Sequence, residues 1–283
     1  MADGQHFKPI NQHASHLAQL LYRWQGEPFG AWYQAAQWFE VASTVQAVTC
    51  EVGHHDLVMS ECEASMDYDD RRAAALGKFV PHLVRFQMCW AGLEAVISII
   101  DPPELPKPNR GKINAACAYL REHFGDDGGI ARLEKAVEEF VTCAREEPFR
   151  GEVESRLLPV PHVGLSGRGL RAVYGVRNCF AHGDAGVSFP EPDEDDTEAF
   201  DQLETTCGQR TSNTVRTATR LVLITTQMLI MAHVGRDVRI DDWSDSFGSN
   251  GGEKSNLYDV LSRWHLTRTR PRSWRIGHGT AAR

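Results

Sequence analysis

The sequence predicts an all-α protein built as one helical domain. Three observations lead there: apolar residues recur at three- and four-residue intervals along most of the chain, no run alternates with period two between hairpin turns, and no fixed-period repeat suggests a solenoid. At 283 residues the chain can bury a substantial core without staples. Its seven cysteines are odd in number and scattered, with no C-x-x-C pair. Neither a disulfide framework nor a cysteine zinc site is expected, and no cofactor is called for.

The elements follow in order. "ASHLAQLLYRW" and "AWYQAAQWFEVASTVQAV" are helical by periodicity and belong to N-terminal helical additions spanning 1–72. From about His82 to Ile100 a core helix carries the stripe Phe86, Trp90, Leu93 and Ile97; Pro81 suits its first position, and Pro102 and Pro103 forbid continuation. "INAACAYLREHF" and "IARLEKAVEEFVTCARE" are two shorter helices around a "GDDGG" turn. The stretch 146–169 reads as an irregular connection, because Pro159, Pro161 and its glycines disfavour regular structure. A helix is expected from near Arg168 to Gly183, followed by the acidic linker 191–204. A long buried helix then begins with Ser212 or Asn213 as N-cap and runs to Val234. The domain is expected to close at 240, leaving 241–283 as a hinge and an Arg/Trp-rich basic tail.

The formal charge of −8 argues against broad wrapping of nucleic acid, which depends on neutralising phosphates with Lys and Arg. The tail differs from the average. After Asp259 there is no further acid, and Arg263, Arg268, Arg270, Arg272 and Arg275 interleave with Trp264 and Trp274 as candidate RNA contacts and stacking platforms. The start "MADGQHFKPINQ" lacks a basic-then-apolar signal pattern, and the apolar run Leu221–Val234 is short for a membrane span, so a cytoplasmic protein is expected.

One stretch carries chemistry. An arginine precedes a histidine by four to six residues three times: Arg156 and His162, Arg177 and His182, Arg272 and His278. The first pair spans two prolines and the last lies in the tail, so the middle pair alone rides one helix. With about 100° per residue and Arg177 at zero, Tyr174 falls near 60°, Asn178 near 100° and His182 near 140°, one broad polar arc. Val176, Cys179 and Phe180 fall outside the arc, and Gly183 ends the helix. Arginine offers a permanently charged fork matched to phosphate, and histidine passes protons near neutral pH. The plain alternative is a helix end decorated with cations that favour its dipole.

"VRNCFAHG" (176–183) resembles the R-N-x-x-A-H-G signature of the HEPN family, all-helical modules whose best-characterised members are metal-independent ribonucleases. The match covers about eight residues, and the order of an upstream apolar helix, the motif at a late helix end and one long apolar helix afterwards is similar to that family as well. The resemblance implies a homodimer in which two motifs face one cleft. It implies His182 as general acid or base toward a ribose 2′-OH, Arg177 as the phosphate clamp, and Asn178 as an orienting residue. Toxin or defence roles, with an antitoxin or a larger complex as partner, are further implications, as is the alternative of a non-catalytic binding module. Glu94, beside the core stripe, should need a partner if buried, with Arg177 the candidate, but a solvated helix edge is the favoured reading. Metal is not expected. Glu51, His54, His55 and Asp56 lack a ligand spacing, and His13 and His16, three apart, invite the same caution.

Overall fold

The structure is a computed structural model that describes residues 6–23, 30–52, 63–126, 128–145, 149–183, 189, 201–235, 239–241 and 254–267. It is all-α. The helices are α1 (Ile10–Arg23), α2 (Ala31–Thr44), α3 (Glu63–Ile100), α4 (Lys112–Phe124), α5 (Leu133–Ala144), α6 (Arg150–Leu157), α7 (Leu165–His182), α8 (Asp201–Val234) and α9 (Leu257–Leu261). Two three-residue strands, β1 (Arg239–Asp241) and β2 (Lys254–Asn256), pair antiparallel.

The core lies along α3 and α8, which pack on each other; α1 and α2 cover one end, and α4 to α7 the other. Phe79, Phe86, Leu93 and Ile97 of α3 are buried with Trp32 and Phe39 of α2 and the apolar face of α8. Gly92 makes that crossing close: a Cβ there would stand 2.6 Å from Cζ of Phe39. The buried threonines of α8 cost little, because Thr219 and Thr226 donate to the carbonyls of Val215 and Val222 one turn back, at 2.7 and 2.9 Å. Thr211–Val234 and Met66–Ile100 are each long and apolar enough to cross a membrane, but 83% of the first window is buried within the bundle, against 39% of the second. Core packing therefore accounts for the apolarity of α8.

Several sequence expectations are corrected by packing. Pro81 does not begin a helix: α3 runs through it from Glu63, its ring is buried, and the residue whose carbonyl it crowds four places back is Gly77. α8 begins at Asp201, not at Ser212 or Asn213. The supposed irregular connection contains α6 and the first turn of α7.

The boundary at 240 also fails for 257–267. Leu261, His265 and Leu266 are buried. The amide of Lys8 donates to the His265 carbonyl at 2.9 Å, and that of Thr267 donates to His6 at 2.7 Å, so the first and last described segments run side by side. Inside this seam His13 Nε2 lies 2.8 Å from Gln227 Oε1, while Gln227 Nε2 reaches the Leu261 carbonyl and lies 3.1 Å from His265 Nδ1. His265 Nε2 in turn contacts the Ala131 carbonyl at 2.6 Å. One polar chain thus links α1, α8, the segment after α9 and the loop before α5.

The glycines of "GLSGRGLRAVYG" are contact points. A Cβ on Gly167 would stand 2.9 Å from Cβ and 3.0 Å from Cα of Cys117 on α4, and one on Gly169 would meet Val137 of α5 at 3.1 Å. Gly167→Val is therefore expected to lower stability by about 1–3 kcal/mol through overpacking. Gly151→Ala, with nothing within 4 Å of the added carbon, should raise it by up to about 1 kcal/mol. Thermal midpoints that move in opposite directions bear this out; equal shifts refute it.

Candidate functional site

The site is built around α7. The helix starts at the extended Gly164, where the Leu165 amide donates to the Asp126 carbonyl at 3.2 Å, and stops at Gly183, whose φ of 61° and ψ of 43° are left-handed. The Gly183 amide donates to the Cys179 carbonyl, so a glycine closes the helix as the sequence indicates. Leu170, Val173, Val176 and Cys179 are buried, which leaves the arc of Tyr174, Arg177 and Asn178 half-buried and His182 exposed.

Beside this arc lies a cavity of about 200 Å³. Its walls come from four helices and one connection: Glu94 of α3, Arg110 and Gly111 before α4, Lys112, Ile113 and Asn114 in the first turn of α4, Arg156 of α6, and Tyr174 and Arg177 of α7. Four cations thus share it with one carboxylate. Tyr174 stacks on Trp90, with ring centroids 5.9 Å apart and planes at 17°, and the Arg156 guanidinium lies over the same tyrosine at 5.1 Å. Trp90 Nε1 donates to Glu94 Oε1 at 2.7 Å. A stiff aromatic wall results.

Glu94 is partnered by Trp90 and not by the candidate Arg177. The closest polar contact of Arg177 is Asn178 Oδ1, at 3.5 Å the outer limit of a hydrogen bond. Arg110 and Arg156 are tethered through Nε to Glu104 at 2.8 Å and Glu152 at 3.6 Å, and Lys112 Nζ donates to Ser98 Oγ at 3.1 Å. These tethers are exposed and contribute little energy, but they aim the cations.

The structure brings Tyr174, Arg177 and Glu94 to one cavity. His182 stands apart from its lining, exposed on the last turn of the same helix. Sequence reasoning missed Arg110 and Lys112, for which the one signal is the basic flank around glycine in "NRGKIN", and set Arg156 aside because of the prolines after it. Arg156 sits on α6, ahead of both.

The remaining candidates fall elsewhere. Arg263 is exposed, whereas Trp264 is half-buried and stacks on His16, with centroids 5.6 Å apart, which takes one face from the base-stacking role expected of it. Arg268, Arg270, Arg272, Trp274 and Arg275 lie outside the described residues, as do His54, His55 and Asp56. His13 and His16 serve the seam between chain segments. Among the described residues no group of three His, Cys, Asp or Glu side chains is placed to hold a metal ion.

Fold and cavity together define an all-helical protein with a basic pocket suited to an anion. No family model matches the chain, and no curated protein or solved structure is significantly similar to it.

Proposed function

We propose that the protein is a metal-independent endoribonuclease of the HEPN type that acts as a homodimer, in keeping with a toxin or defence effector. The observation that carries this reading is Arg177, set on a helix anchored by its opposite face, in a cavity with three further cations, and followed by exposed His182 one and a half turns on. Arg177 holds the non-bridging oxygens of a phosphodiester and stabilises charge that builds on them. His182 takes the proton of the neighbouring 2′-OH, whose oxygen bonds to phosphorus while the bond to the 5′-oxygen breaks. The leaving oxygen receives a proton from the second copy's His182 or from water, giving a 2′,3′-cyclic phosphate and a 5′-hydroxyl.

A second reading, a non-catalytic module that binds RNA or a partner at the cavity, draws on the separation of His182 from the cavity lining. Incubation of the purified protein with RNA in excess EDTA separates the two. The nuclease yields fragments with cyclic phosphate and 5′-hydroxyl ends; intact RNA, retained by the protein in an Arg177-dependent manner, establishes the binding module instead.

A further inference from the structure

Arg177 and His182 suffice for the cleavage step, which leaves Arg110, Lys112 and Arg156 without a task. They converge on one cavity from the connection before α4, from α4 itself and from α6. α4 adds to them. It begins at Gly111, whose φ of 142° and ψ of 149° are a conformation open to glycine, and no side chain caps its first turn. The first amide to return a bond within this helix is that of Ala115, to the Gly111 carbonyl, so the amides of Lys112, Ile113 and Asn114 stand at the positive end of the helix beside the three cations.

We propose that this part of the cavity is a receptor for a terminal phosphate monoester of an RNA strand, held by Arg110, Lys112, Arg156 and the first turn of α4, next to the linkage that Arg177 grips. Size and charge select that ligand. About 200 Å³ is below the roughly 300–1,000 Å³ of sites that enclose a whole small molecule, so the cavity admits a phosphate group and leaves the base outside. A monoester carries about −1.5 to −2 charges at neutral pH and three unesterified oxygens, a diester one charge and two such oxygens. Three cations and a bare helix start, beside Arg177 on the diester, match the former. Glu94, the one carboxylate on the wall, opposes the anion, and its Oε1 is engaged by Trp90. Nε of Arg110 and of Arg156 faces Glu104 and Glu152, which leaves the terminal nitrogens of both forks for the ligand.

The inference rests on the RNA reading above, and its test avoids cleavage. The full chain carrying His182→Ala is titrated with oligoribonucleotides of one sequence bearing a 5′-phosphate, a 3′-phosphate or hydroxyls at both ends. One phosphorylated probe is expected to bind roughly tenfold or more tighter than the hydroxyl probe, and inorganic phosphate should compete for that advantage. Adding Arg110→Met with Lys112→Met, both on exposed residues, should erase the advantage. Glu94→Gln, which keeps an acceptor for Trp90, should enlarge it. Equal affinity for all three probes, no binding of any, or an advantage that survives the double substitution overturns the proposal. Failure of the unmodified protein to cut RNA would instead sink the nuclease reading and leave the end preference standing.

Discussion

Under the proposed nuclease reading, replacing His182 by alanine is expected to slow RNA cleavage about 10²- to 10⁴-fold, the range that general acid–base groups contribute. The fold should hardly notice. The side chain is exposed on the last turn of α7, beyond the buried Val176 and Cys179, and Gly183 rather than the imidazole closes the helix. An exposed substitution of this kind usually moves stability by no more than about 0.5 kcal/mol. Cleavage and the unfolding midpoint thus separate in one variant. Arg177→Lys should also impair cleavage, because a point charge replaces a planar fork at the phosphate. A loss smaller than roughly tenfold on His182→Ala, or one matched by an unfolding chain, removes the histidine from the reaction.

Acidification from pH 7.5 to 5 is expected to destabilise the protein by several kcal/mol, through the polar chain under the seam. Burial, followed by the nearby His265, holds His13 well below the usual histidine range. Burial brings His265 down to about 4, against the opposing hydrogen bond that its ring donates to the Ala131 carbonyl. Both rings are neutral when folded and protonate near pH 6.5 when unfolded, so below 6.5 the unfolded chain binds more protons. Stability is complete above that pH and is lost as it falls toward 4. His265 forfeits about 2 kcal/mol by pH 5, at about 1.4 kcal/mol per pH unit over most of that interval, and His13 acts in the same direction. His16, lowered to about 4 by burial and by Lys8, adds in the same direction. Urea unfolding at pH 7.5 and 5 measures the difference; a His13→Gln, His265→Gln double variant should flatten it. Equal stability at the two values would show that these imidazoles do not control it.

The sequence made some of this legible and hid the rest for physical reasons. The end of α7 could be read because Gly183 is a local signal, and the core stripe of α3 because Phe86, Leu93 and Ile97 repeat at helical spacing. The start of α3 could not: a proline marks a helix start in most contexts, and tertiary packing overrides that preference where Gly77 stands four residues back. The docking of 257–267 was hidden because His265 finds its partners on Ala131 and Gln227, far away in the chain. Arg110 and Lys112 were hidden for the same reason. Sequence spacing finds residues that share a helix, whereas the cavity is assembled from side chains as far apart as Glu94 and Arg177.

The pairing of His6–Lys8 with 265–267 sets an order of events during synthesis. A ribosome that has extruded α1 and α2 has not yet made Gln227 or His265, so His13 waits, buried in prospect but without an acceptor. At about 5–20 residues per second that interval lasts on the order of ten seconds or more. The polar chain through His13 can therefore close only after 257–267 has been made.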